Sequence, residues 1–174
     1  MRIDKLTTKF QEALADAQSL ALGRDHAYIE PAHVLSAMLV QQDGPKSLLQ
    51  RAGVNVNNLG QAAEAALQKM PTVQGQEQVQ VGRDMVTLLQ AAEKEAMKRG
   101  DQYVASELFL LALADSKTPL AEEARKAGLQ RPMLEAAIAA VRGGQSVDNP
   151  EAEGQREALK KYTLDLTERA RQGK

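Results

Sequence analysis

The chain carries one sequence unit twice: adding 75 to a residue number maps apolar positions of its first half onto apolar positions of its second half. The mapping pairs Phe10 with Met85, Leu14 with Leu89, Tyr28 with Tyr103, Val34 with Phe109, and Ala52-Gly53-Val54 with Ala127-Gly128-Leu129. The register holds over about fifty-five residues without net insertion, while the polar positions differ. This selective matching predicts a tandem duplication whose two copies share a core.

Each copy is predicted to form four helices. Phe10, Leu14 and Ala17 follow at helical spacing, with Ala21 on the same face and Thr7 or Thr8 as the N-cap. Prolines and glycines mark several of the other helix ends. The predicted helices are Thr7 to Leu22, one from Pro31, one from Pro45 to Gly53, Asn57 to Met70, Arg83 to Arg99, Ser106 to Asp115, Pro119 to Ala127, and Pro132 to Arg142. The fold class is therefore all-α, with two four-helix units in a pseudo-twofold tandem repeat and almost nothing that favours strands.

Composition narrows the possible functions. The chain has 174 residues, 43% of them hydrophobic and only 3% aromatic, and it has no cysteine. It therefore has enough apolar residues for a core but no disulfide, thiolate nucleophile or Cys-ligated metal, which is typical of a cytoplasmic protein. The formal net charge of -1 argues against nucleic-acid binding. Because no apolar run approaches the roughly 18 residues of a membrane span and Arg2, Asp4 and Lys5 interrupt any leader pattern, no membrane contact is expected.

Three segments lie outside the helices of the two copies, which we place at residues 1–71 and 83–144 within a domain of residues 1–144. The segment from Thr72 to Gly82 is predicted to be a surface connector, with a short strand or a binding loop as the alternative. The glycine-rich segment 145–154 is predicted to be a flexible linker. Residues 155–174 are predicted to form an amphipathic helix with an apolar stripe of Leu159, Tyr162, Leu166 and Ala170, which packs on a following domain or on the duplicated domain itself.

No pattern of catalytic residues is present. His33 lies beside Glu30 and could form an acid-base pair, but Leu108 takes its position in the second copy, which favours a packing role. His26 and Asp25 with Glu30 could imitate a metal cluster, yet their spacing in a loop does not suit one. The chain also lacks the glycine motifs that bind nucleotides and the nucleophile motif of hydrolases. We expect neither a catalytic residue nor a metal or cofactor site in this segment.

Several contiguous stretches resemble the amino-terminal domain of the Clp ATPases. They are Asp4-Lys5-Leu6-Thr7, the run from Ala13 to Gln18, the run from Ile29 to Leu35, and Ser106-Glu107-Leu108-Phe109. The run from Ala158 to Ala170 resembles the start of the first ATPase module in the bacterial protein disaggregases of this family. The resemblance spans essentially the whole chain and is closest to those disaggregases.

The resemblance implies a role within a larger machine. Members of this family are homohexameric rings that use ATP and magnesium to thread polypeptide through a pore, and the disaggregases cooperate with the DnaK chaperone system. The mobile amino-terminal domain helps to engage unfolded or aggregated proteins. No ATPase core is present in this sequence, so the resemblance assigns ATP and the ring to modules outside it and leaves the isolated domain a monomer.

The resemblance also implies a client-binding groove among the first, fifth and sixth helices. Its residues are Leu89 and Leu108 as the apolar floor and Thr7, Asp101 and Glu107 as the polar rim. The residue pattern leaves structural roles open for them: core packing for Leu89, a helix cap for Thr7, dipole stabilisation for Glu107 and a loop surface for Asp101. Leu108 differs from its counterpart His33, so we expect Leu108→Ser to weaken client binding without unfolding the domain.

Two other functions remain open on the sequence alone. The first is a Clp amino-terminal domain that docks an adaptor for an associated protease. The second is a small helical hydrolase that uses His33.

Overall fold

The computed structural model describes residues 2–159 and is mostly helical, which confirms the predicted class. The helices are α1 (Thr8–Gly23), α2 (Pro31–Val40), α3 (Lys46–Arg51), α4 (Val56–Gln68), α5 (Arg83–Arg99), α6 (Ser106–Asp115), α7 (Pro119–Lys126) and α8 (Arg131–Arg142), with a 3-10 turn at Ile3–Lys5. Every predicted boundary of the eight helices in the two copies lies within two residues of an observed one. The shift of 75 residues carries Pro31–Val40 directly onto Ser106–Asp115.

Local signals position α1 and α6 against each other. Thr7 caps α1, since its hydroxyl oxygen accepts a hydrogen bond from the Phe10 amide. Phe10 of α1 and Phe109 of α6 are both fully buried, and their rings meet edge to face with centroids 6.0 Å apart. This contact joins the first helix of one copy to the second helix of the other, so the two copies share one core.

Short backbone pairings also connect the copies, although the sequence offered almost no sign of strands. Strand β1 (Tyr28–Ile29) pairs in parallel with β2 (Gln80–Val81), and Leu6 forms an isolated parallel bridge with Val104. The segment from Thr72 to Gly82 thus connects the copies over the surface and ends in a short strand. The pairings are reciprocal, because the residues that precede α1 and α5 each bind the residues that precede the second helix of the other copy.

Residues 145–159 lie against the domain, and we call them the strap. The carbonyl of Val147 accepts hydrogen bonds from the amides of Gln102 and Tyr103 at 2.9 and 3.2 Å, and the Pro150 carbonyl accepts one from Thr8 at 2.8 Å. The segment predicted to be a flexible linker, 145–154, thus makes backbone hydrogen bonds with the domain. Its glycine and proline content suited a linker, but its carbonyls accept hydrogen bonds from the first amide of α1 and from two amides of the loop before α6.

A helix covers 152–159 at the end of the strap. The predicted tail helix therefore begins earlier than residue 155. Leu159 of the predicted apolar stripe is 65% exposed. Tyr162, Leu166 and Ala170 lie outside the described residues. Between residues 2 and 159, no helix combines the length and the apolar character that a membrane crossing requires.

Candidate functional site

The residues predicted to line an open groove are covered in the structure. Thr7, Glu107 and Leu108 are fully buried, the side chain of Asp101 has no exposed surface, and Leu89 is half-buried against the core. The prediction that Leu108 forms an accessible floor is wrong, because residues 106–114 of α6 are all buried among neighbouring helices. Leu108 thus belongs to the core cluster, and Leu89 packs against that cluster.

The three polar residues of the prediction do come together. They form, with Ser106 and Arg142, a polar seam beside the start of α6, and the strap covers it. We use the name seam for Thr7, Asp101, Ser106, Glu107 and Arg142. Its contacts with the strap are made by Val147, Glu153 and Arg156.

A carboxylate of the strap occupies the amino-terminal end of α6. Oε1 of Glu153 accepts hydrogen bonds from the Thr7 hydroxyl and from the backbone amide of Ser106, each at 2.6 Å. Glu153 is only 2% exposed. The first amides of a helix have no partner within the helix and carry partial positive charge, so a carboxylate stabilises this end.

Glu107 and Asp101 bind two arginines. Oε1 and Oε2 of Glu107 accept hydrogen bonds from Arg156 Nη2 at 3.1 Å and Nη1 at 3.3 Å, and Oε2 also accepts one from Arg142 Nε at 3.1 Å. Arg142 Nη1 donates to both oxygens of Asp101, at 3.0 and 2.9 Å. Burial would raise the pKa of Glu107, but the charges of Arg156 and Arg142 outweigh it and hold that pKa below its ordinary value. Glu107 therefore stays ionised inside the protein.

Three carboxyl groups, those of Asp101, Glu107 and Glu153, lie in one cluster with the guanidinium groups of Arg142 and Arg156. Asp101 and Glu107 take both arginines. Burial and the adjacent charge of Glu107 raise the pKa of Glu153 to about 7, against the opposing hydrogen bonds from Thr7 and Ser106. Glu153 is thus the carboxyl group whose charge the cluster compensates least.

Sequence reasoning missed four residues of this cluster: Ser106, Arg142, Glu153 and Arg156. One signal, at the start of α6, could have indicated that Ser106 needs a partner. The residue before α6 is Ala105, which has no side-chain acceptor, and α6 has no side-chain cap of its own. The amide of Ser106 therefore needs an acceptor from elsewhere in the chain. Glu153 supplies it.

In the first copy Pro31 takes the position of Ser106 and has no backbone N–H, so the same need does not arise there. Glu30, which the shift of 75 residues places on Ala105, accepts a hydrogen bond from the backbone of His33 in a capping box with α2. An open apolar hollow of about 260 Å³ lies beside it, lined in part by Pro31, Ala32, Met70 and Leu120. The first copy thus caps its helix from within, whereas the second depends on the strap.

A family model described as the Clp repeat N-terminal domain matches residues 5–127. The chain belongs to this family. It is similar over its whole length to the chaperone protein ClpB of Vibrio cholerae, at 46% identity, and of Pseudomonas putida, at 45%. The ClpB of Rhodopirellula baltica is 36% identical over 99% of the chain. The chain spans about a fifth of the length of these relatives.

Solved structures of the N-terminal domains of Hsp104 and ClpV share the fold. The Hsp104 N-terminal domain from Candida albicans aligns with 86% of this chain and 99% of its own at a TM-score of 0.74 and 23% identity. The N-domain of ClpV from Vibrio cholerae aligns with 79% of this chain and 85% of its own at a TM-score of 0.65 and 25% identity.

The two histidines of this Clp repeat N-terminal domain form a buried pair. The Glu30 amide donates to His33 Nδ1 at 2.8 Å, so the proton of that ring lies on Nε2, which is 2.8 Å from His26 Nδ1. His33 is fully buried and His26 nearly so. Both nitrogens of His33 are thus engaged in structural contacts. Within residues 2–159, no group of three or more potential ligands could hold a metal ion.

The buried pair predicts a loss of stability in mild acid. Burial, followed by the neighbouring His26, lowers the pKa of His33 to about 4 from an ordinary value of 6.5. Between about pH 6.5 and pH 4, His33 is therefore protonated in the unfolded chain and neutral in the folded chain. The free energy of unfolding falls as the pH falls through this range. Between pH 7 and pH 5 the loss is about 2 kcal/mol.

Urea denaturation at the two pH values measures this loss by comparison with His33→Leu, which places the residue of the second copy at this position. Glu153 acts in the opposite direction in both proteins, so only the difference between them reports on His33. Equal pH dependence in wild type and His33→Leu would contradict the prediction.

Proposed function

We propose that this chain is the amino-terminal, client-engaging domain of an ATP-driven ring chaperone that disaggregates and unfolds proteins. Essentially the whole of this chain is similar to part of the chaperones named ClpB, at 36 to 46% identity, and this similarity supports the assignment. In this proposal ATP and magnesium bind to other modules of the protein, the whole protein is a homohexamer, and it cooperates with the DnaK system. The domain contributes contact with unfolded or aggregated proteins.

One observation carries the location of this contact: a segment of polypeptide already lies on the seam. The strap places an apolar side chain, Val147, in a position where it is 2% exposed, and it adds a carboxylate and a guanidinium contact. The seam therefore has the groups needed to bind a peptide. A related structure is described as a complex of a ClpV N-domain with a VipB peptide, and its fold matches at a TM-score of 0.61.

Binding at such a surface is expected to be weak. A single buried apolar side chain contributes roughly 1.5 to 3 kcal/mol, and association costs several kcal/mol in lost freedom. Six domains on one ring would raise the local concentration of sites without stronger individual contacts. Weak binding by one domain is thus compatible with effective engagement by the ring.

Titration of the domain with unfolded casein tests the proposal, with NMR amide shifts as the readout. We expect a dissociation constant on the order of micromolar or weaker, with the largest shifts at Gln102, Tyr103 and Ser106. A stably folded protein of similar charge serves as the control and should leave these amides unchanged. Absence of binding, or shifts confined to α3 and α4, would contradict client engagement at the seam.

A further inference from the structure

The strap contributes no residue to the hydrophobic core cluster of the domain. Within residues 2–159, the cluster of buried apolar residues runs from Leu6 to Ile138 and contains no residue of the strap. The strap joins the domain through Gly143 and Gly144, both with positive φ, and it lies beyond the family match at 5–127. The strap thus lies outside both the core cluster and the residues that the family model matches.

The seam, in contrast, needs an occupant. Among the residues from 2 to 159, the Ser106 amide has no capping acceptor except Glu153, and the carboxylate of Glu107 is fully buried beneath Arg156. Arg142 Nη2 is buried and makes no hydrogen bond with any residue in 2–159, so a further acceptor could bind there. These groups favour a segment that brings a carboxylate and a guanidinium on one face, as Glu153 and Arg156 do at a spacing of three residues in a helix.

We propose that the seam is a docking surface for helical segments that carry a carboxylate three residues before an arginine, and that the strap is its intramolecular occupant, which a client must displace. This inference rests on the proposed function and adds its regulation. A client binds only to molecules in which the strap is open. Its apparent association constant is therefore its intrinsic association constant multiplied by the fraction of molecules with an open strap. The first copy has no such dependence, because Glu30 caps α2 directly.

The double variant Glu153→Ala with Arg156→Ala should release the strap. We expect casein to bind about tenfold more tightly to it than to wild type, because competition is removed. Hydrogen exchange should show loss of protection at the amides of Thr8, Gln102 and Tyr103, because these amides donate hydrogen bonds to carbonyls of the strap. The matched control is Glu123→Ala with Lys126→Ala, an exposed pair at the same spacing on α7, which should change neither readout.

Gly154→Ala tests the opposite direction and does not depend on the double variant folding. Gly154 lies in the strap helix, and a Cβ there would meet only Lys9 Cε at 3.5 Å, an ordinary contact. Because alanine favours a helix over glycine, we expect tighter closure and casein binding about twofold to fivefold weaker than wild type. Unchanged or tighter binding with the same or greater amide protection would overturn the inference.

A peptide of residues 147–159, added to the double variant, separates this inference from the proposed function. The peptide should bind, and the same peptide with alanine in place of Glu153 should not. Two results for the double variant would overturn the competition: loss of amide protection without tighter casein binding, and unchanged amide protection. In both cases casein binding to wild type would still support the proposed function. If the peptide binds but casein binds neither protein, the proposed function fails and the docking surface stands. If neither ligand binds, both fail.

Discussion

Leu108→Ser is expected to lower the free energy of unfolding by about 4 kcal/mol, rather than to affect client binding alone. Leu108 is fully buried on α6, a helix whose residues 106–114 are all inaccessible. The substitution leaves a cavity and places a hydroxyl group in an apolar environment. Urea denaturation followed by far-UV circular dichroism measures the loss.

Met97→Ser is the control for this substitution, because Met97 is 75% exposed on α5. It should change the stability by less than about 0.5 kcal/mol. If Leu108→Ser retained wild-type stability and bound casein more weakly, Leu108 would instead line an accessible groove, as the family resemblance had implied.

Arg142→Ala is expected to cost about 3 kcal/mol of stability, the typical result of removing one partner from a buried ion pair. The Arg142 side chain is 8% exposed and binds the carboxylates of Asp101 and Glu107, neither of which has an exposed side chain. Among residues 2–159, the variant leaves the Val147 amide as the one donor to the buried Asp101 carboxylate, and Arg156 as the one arginine on Glu107.

The comparison for Arg142→Ala is Arg2→Ala, which removes an arginine from an exposed ion pair with Asp4. Such pairs contribute about 0 to 1 kcal/mol, so Arg2→Ala should be nearly neutral in the same urea experiment. Similar small effects for both variants would show that the buried cluster contributes no more than a surface pair.

The helices were predictable because their signals are local. The apolar spacing defines α5, and Gly100, with a φ of 72°, ends it in the left-handed conformation that glycine adopts at low cost. A local signal also marks the start of α2, because Pro31 is its first residue. The pairings of Leu6 with Val104 and of β1 with β2 were missed, since one or two residues per strand leave no periodicity to detect.

The site was less predictable because it depends on which surfaces meet. The difference between His33 and Leu108 suggested a less constrained position, yet both are fully buried, and His33 is accommodated by its bonds to His26 and Glu30. Glu153 lies in a segment whose composition suits a linker. Only its distance of 2.6 Å from the Ser106 amide identifies it as the missing cap of α6.

The reciprocal pairing of Leu6 with Val104 and of Ile29 with Val81 has a consequence for how the domain can come apart. A fragment that ended in the connector at 72–79 would hold one partner of each pair and neither pair complete, and Phe10 would lose Phe109. Neither half is thus an independent folding unit, and the domain should melt in a single cooperative transition despite its duplicated sequence.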